Sequence, residues 1–168
     1  PYGSGLKALD RVLGKGLVPG AAILVGGEPG IGKSTLLLQV AGLVAAQGKR
    51  VLYASGEESL PQIKGRAERL GMLEPNLLAI ATSRVEDVLE AANVAPPALL
   101  VVDSVQTMNS SLAEGAPGSP GQVRAVAAEL VEAVKKSGKT TVYVPTKEER
   151  MTFKKALLPV HAKMADRV

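Results

Sequence analysis

The stretch that most constrains this chain is Gly27-Glu28-Pro29-Gly30-Ile31-Gly32-Lys33-Ser34, which fits the pattern Gly-x-x-x-x-Gly-Lys-Ser/Thr at every position. The apolar run before it, residues 21–25, has the length of a buried strand. Residues 34–47 after it have the spacing and composition of a helix. A strand, a glycine loop and a helix in that order form a phosphate-binding loop. Glycines are needed because successive backbone N–H groups must converge on phosphate oxygens, with dihedrals and close approach that a Cβ obstructs. The helix N-terminus adds positive potential. Lys33 is then expected to reach the β- and γ-phosphates and the Ser34 hydroxyl to be a Mg²⁺ ligand. The expected nucleotide-binding residues are Gly27, Glu28, Pro29, Gly30, Ile31, Gly32, Lys33, Ser34 and Thr35. A glycine-rich turn can also join strand to helix without chemistry, but the Lys-Ser pair and both flanking elements favour the nucleotide.

With 168 residues, 46% of them hydrophobic, the chain can bury one sizeable core, and residues 1–168 are read as a single domain. There is no Trp and only one Phe, so that core must be aliphatic, which suits a parallel sheet covered by helices on both faces. The absence of Cys excludes disulfides and cysteine-ligated zinc within these residues. No signal-like or membrane-spanning run is visible, so a soluble, cytoplasmic protein with no membrane partner is expected. The net charge of +4 is concentrated at one end, since residues 145–168 carry six Lys/Arg against three Asp/Glu. Such a basic segment is either a solvated face or a nucleic-acid contact.

Taken in order, the chain predicts a short helix through Leu6, Leu9, Val12 and Leu13, then the glycine loop and its helix, then a strand over 51–55. Glu57 and Glu58 fall just past that strand. Ligands in open α/β sheets bind beyond the carboxyl ends of the strands, so one of the two carboxylates is placed to orient water against the γ-phosphate, the other to favour the next helix. Capping boxes at Ser59–Gln62 and Ser83–Glu86 open two helices around a strand over 77–81. Residues 99–103 form an apolar strand ending in Asp103. With the upstream glycine loop, it reads as a Walker B segment whose carboxylate holds Mg²⁺, usually through water, opposite Ser34. Residues 107–121 read as a mobile loop, 122–136 as a helix and 140–144 as a further strand.

With these motifs in place, the chain resembles the ATPase core of the bacterial RadA (Sms) family of DNA-repair proteins, within the RecA superfamily. The likeness runs through nearly all 168 residues. It is carried by 8–14, 26–34, 36–40, 47–53, the stretch Ser55-Gly56-Glu57-Glu58-Ser59, Asp103-Ser104-Val105-Gln106-Thr107, and 116–119 with Gln122-Val123-Arg124. It implies a RecA-like P-loop NTPase core, an α/β fold with a mostly parallel twisted sheet. Glu57 lies where such proteins keep the water-activating carboxylate, with Glu58 next to it, so Glu57 and Lys33 are the expected catalytic residues. Val144 and Pro145 depart from the family's usual His-Val, which weakens the expectation of a γ-phosphate sensor there, and His161 stands one place out of register. The family's four-cysteine zinc motif, Lys-Asn-Arg-Phe-Gly motif and Lon-like domain are not among these residues, as in a partial core.

The function this implies is an ATPase that binds Mg²⁺ with ATP or ADP, hydrolyses ATP and engages single-stranded or branched DNA. The intact protein is expected to form a homo-oligomeric ring, taken as a hexamer, and to work with a recombinase partner. Arg124, Lys147, Arg150, Lys154 and Lys155 are the candidate DNA contacts. The alternatives are a nucleotide-binding regulatory module with little turnover and a small-molecule kinase. The kinase would need a lid with clustered arginines, for which only scattered residues of 145–168 are available.

Overall fold

A computed structural model describes residues 1–14 and 16–137. The helices are α1 (Lys7–Val12), α2 (Lys33–Ala46), α3 (Leu60–Arg69), α4 (Val85–Val94) and α5 (Pro120–Lys136); the strands are β1 (Val51–Ser55), β2 (Leu77–Ala81) and β3 (Leu99–Asp103). The described strands form one parallel sheet in the order β2-β1-β3. Val51 pairs with both Leu77 and Leu99, and Ser55 with both Ala81 and Asp103, so the three carboxyl ends are level.

Alternation along the strands divides the core in two. The odd-numbered Val51, Tyr53, Leu77, Leu99 and Val101 pack with Leu38, Ala41 and Val44 of α2 and with Ile63 and Ala67 of α3. The even-numbered Ala54, Ile80, Leu100 and Val102 pack with Val85 and Val88 of α4 and Val126 of α5. Because β1 is central and covered on both faces, all five of its residues are buried, as the unbroken apolar run Val-Leu-Tyr-Ala requires. The expected α/β fold, with a parallel sheet and helices on both faces, is what forms.

Three local expectations are corrected. Among the described residues, 21–25 form no strand and carry no ladder, and Leu24 is 90% exposed. A strand needs a neighbouring backbone to take its N–H and C=O groups, and no described strand lies alongside this segment. The Ser83–Glu86 capping box does not form. The N-cap is Arg84, whose amide donates to Thr82 Oγ1 (3.1 Å), while that hydroxyl donates to Asp87 (2.7 Å) and Glu86 is turned to another partner.

The third concerns residues 107–121, whose first half is anchored. Met108 is fully buried, and the Asn109 amide donates to Ser83 O (2.6 Å) while its carbonyl accepts from Val85. The buried Gln122 accepts from the Ser110 amide (2.7 Å) and donates to the carbonyls of Ser110 (3.2 Å) and Ala113 (2.5 Å). Small polar residues alone look flexible; a buried amide on the next helix fixes them. The expected strand over 140–144 and the whole of 145–168, including the sensor position and His161, lie outside the described residues.

Glu86 supplies the remaining anchor, accepting from the Ser111 amide at 2.7 Å. That hydrogen bond, with a smaller contribution from Arg84, lowers its pKa from the ordinary 4.5. A depressed folded-state value stabilises the fold above the unfolded value, and this contribution is lost as pH falls below 4.5 through the folded value. Glu86→Gln is therefore expected to flatten part of the acid loss of stability, measured as urea midpoints from about pH 7 down to about pH 3.

Candidate nucleotide and metal site

The glycine loop and α2 meet as the motif requires. Gly30 (φ 80°) and Gly32 (φ 99°) occupy left-handed backbone that a side chain disfavours, and Gly32 is the N-cap of α2. No side chain caps the helix. Its first backbone bond is Leu36 N to Gly32 O (2.9 Å), so the amides of Lys33, Ser34 and Thr35 have no acceptor among the described residues. The Lys33 ammonium donates to the carbonyls of Gly27 and Glu28, at 2.7 Å each. A cation and a row of open amides thus face the same loop, the donor set an anionic phosphate needs. Residues 27–32 are exposed, as are Thr35 and the apolar Ile31.

The level carboxyl ends of β1, β2 and β3 are tied together just beyond the sheet. The Gly56 amide donates to Asp103 O (3.2 Å), and the Thr82 amide to Ser55 O (3.0 Å). The buried Ser55 hydroxyl accepts from the amides of Glu57 (3.3 Å) and Glu58 (3.0 Å), setting the turn that carries both glutamates. Gly56 is needed for close approach: a Cβ there would lie 2.5 Å from Thr107 Oγ1. Thr107 in turn closes the 3₁₀ turn Val105–Thr107 by donating to Ser104 O (2.9 Å).

Glu57 and Glu58 have different surroundings. The Glu58 carboxylate is ion-paired with Arg66 of α3. Glu57 is exposed, and among the described residues its side chain makes no hydrogen bond or ion pair. The capping box at Ser59 forms as expected, Gln62 Oε1 accepting from the Ser59 amide (2.8 Å) and hydroxyl (2.9 Å). It starts α3 in the phase that buries Ile63 and Ala67 and brings Arg66 over the strand ends.

Asp103 sits in a network that sequence reading misses. Tyr53, fully buried on β1, donates its hydroxyl to Asp103 Oδ2 (2.6 Å) and accepts from Arg66 Nη2 (3.1 Å); Arg66 Nη2 is 4.0 Å from the same carboxylate oxygen. Burial first, then the hydrogen bond to Asp103, holds the Tyr53 phenol well above the ordinary tyrosine value, so it remains a donor. The only advance signal was weak: Tyr53 and Ser55 have the same parity on a strand paired in register with Asp103.

These residues fit Mg²⁺ with a nucleotide. No cluster of three or more His, Cys, Asp or Glu that could hold a metal alone occurs among the described residues, so a divalent ion here would need phosphate oxygens beside the hydroxyl of Ser34 and the carboxylate of Asp103. Asp103 Oδ2 is engaged by Tyr53, and among the described residues no hydrogen bond to Oδ1 is present. Among the described residues no hydrogen bond or ion pair joins residues 27–35 to Asp103 or Glu57; the packing of α2 on β1 and β3 relates the two halves. Arg124 is exposed on α5, while Lys147, Arg150, Lys154 and Lys155 lie outside the described residues.

Comparison with known proteins agrees with this geometry. A family described as "ATPase: KaiC" matches residues 2–81, which span α1, the glycine loop, β1, α3 and β2. The chain is 52% identical over 138 residues to the DNA repair protein RadA of Mycobacterium tuberculosis (strain ATCC 25618 / H37Rv), covering 80% of this chain and 28% of that relative. Over this span the chain matches a core segment of RadA proteins. RadA of Escherichia coli (strain K12) is 46% identical over 143 residues, 85% of this chain and 31% of the relative, and RadA of Campylobacter jejuni is 48% identical over 134 residues, 80% and 30%. The chain thus spans less than a third of these RadA proteins, and its fold is the RecA-like P-loop fold of an ATPase domain. No described helix is long and apolar enough to cross a membrane.

Proposed function

We propose that residues 1–168 are the nucleotide-hydrolysing core of a cytoplasmic DNA-repair ATPase. The observation that supports this is the joining of a glycine loop and open helix amides to a Lys33 ammonium, at the start of a helix that packs on β1 and β3, the strands that end before Glu57 and at Asp103. Residues 27–35 bind the phosphates of ATP, Lys33 leaving its loop carbonyls for the β/γ oxygens. Ser34 and Asp103 would hold Mg²⁺, which would supply neutralisation of the charge developing on those oxygens. Glu57 orients the attacking water. Its lack of a side-chain partner among the described residues suits it to this, whereas Glu58 is committed to Arg66. The intact protein, following its relatives' description as DNA repair proteins, acts on single-stranded or branched DNA as a homo-oligomeric ring, with a recombinase as partner.

Phosphate release with and without single-stranded DNA tests this reading. Stimulated release is expected; tight nucleotide binding without release would favour a regulatory module. The DNA contact is expected to be electrostatic and insensitive to sequence, since Phe153 is the only aromatic residue in 107–121 or 147–155. Neutralising Lys154 and Lys155 together should shallow the slope of log affinity against log salt by roughly one to two units, at about 0.7 per phosphate contact on a single strand. An unchanged slope and affinity would mean that these lysines form a solvated face.

A further inference from the structure

The hydroxyl of Tyr53 receives a hydrogen bond from Arg66 and gives one to Asp103, and the same guanidinium is ion-paired with Glu58. We propose that Tyr53, held by Arg66, is a positioning residue that fixes the Asp103 carboxylate for the metal and ties it to the turn carrying Glu57. This rests on the nucleotide and metal reading above, and adds residues that the phosphate-loop and Walker B motifs do not contain.

Tyr53 is fully buried, yet its polar end lies where β1 and β3 finish, so its hydroxyl has one acidic acceptor and one cationic donor in reach. A phenol donates one proton. Given to Oδ2, it leaves Oδ1 as the carboxylate oxygen for a metal or its water, and it fixes the rotation of the group. Arg66 determines where that proton goes: its Nη2 donates to the phenol oxygen, so the phenol proton points to Asp103. The arrangement is poorly suited to stability alone. Arg66 Nε is buried with no partner among the described residues, and buried mixed-charge networks seldom stabilise more than apolar packing of the same volume. Glu58 fixes the guanidinium, and it follows Glu57 directly in the turn held by Ser55. A displacement of Asp103 is therefore transmitted through Tyr53 and Arg66 to the backbone that presents Glu57.

The test is Tyr53→Phe in the full chain, measured by titrating a fluorescent ADP analogue in excess EDTA and again in excess Mg²⁺, with thermal melting to establish folding. The expected result is unchanged affinity in EDTA and a loss of about tenfold or more in the Mg²⁺-dependent gain, the lower end of what outer partners of a metal ligand contribute. Arg66→Lys keeps a cation for Glu58 without the planar fork, and is expected to show a smaller loss in the same quantity. A lower melting temperature with the Mg²⁺-dependent gain intact would show that Tyr53 only fills the core, and would overturn the proposal. Failure of the unaltered protein to bind the analogue in either condition would remove the nucleotide site itself, and this inference with it.

Discussion

Replacing Lys33 by Ala is expected to lower nucleotide affinity by about a hundredfold and to abolish measurable turnover. Charge-assisted hydrogen bonds contribute about 1.5–3 kcal/mol each. Losing two phosphate contacts, partly offset by water, gives about 3 kcal/mol, or roughly two powers of ten. The structure adds a control. Among the described residues the Lys33 ammonium bonds Gly27 O and Glu28 O, both in the exposed loop, so its removal should change folding stability by no more than about 0.5 kcal/mol. Titration with an ADP analogue, phosphate release and a urea melt separate these effects. Unchanged affinity and turnover would withdraw the phosphate-loop assignment.

Glu57→Gln is expected to act on the other half of the reaction, leaving binding nearly intact while turnover falls by about a hundredfold or more. Glutamine keeps the shape of the side chain but cannot take a proton from water, and general-base catalysis typically supplies about 10²–10⁴ in rate. Glu57 forms no side-chain bonds among the described residues, so the change should not disturb the fold. Glu58→Gln makes the contrast. It takes the carboxylate from a half-buried ion pair with Arg66 and is expected to lower stability, with turnover affected through the position of Asp103. If the Glu58 variant alone loses turnover while remaining as stable as the unaltered protein, the two roles are exchanged.

Much of this site was legible in the sequence because the chemistry is local. A phosphate loop is built from consecutive backbone amides, so Gly30, Gly32 and Lys33 carry their own geometry, and the left-handed dihedrals of both glycines follow from residue type. The capping box of Ser59 with Gln62 is likewise a contact between near neighbours. Helix and strand order, and an aliphatic core under a parallel sheet, followed from periodicity and composition.

What only the tertiary structure decided depends on residues far apart in the chain. The apolar run 21–25 read as a strand, yet strand formation requires a partner backbone, and among the described residues none pairs with it. Residues 107–121 read as mobile from their small-residue composition, but Gln122 and Glu86 bind the amides and carbonyls of Ser110, Ser111 and Ala113 from other elements. Glu57 and Glu58 are adjacent and chemically identical in the sequence. Arg66, a residue of α3, gives Glu58 a fixed partner, while Glu57 has no side-chain partner among the described residues. Asp103 could be read as a metal ligand from its strand, but not its dependence on Tyr53, fifty positions earlier. Local sequence specifies backbone conformation and which groups carry charge; the pairing of buried polar groups depends on which strand ends the fold brings level, and the parallel register of β1 with β3 made that choice here.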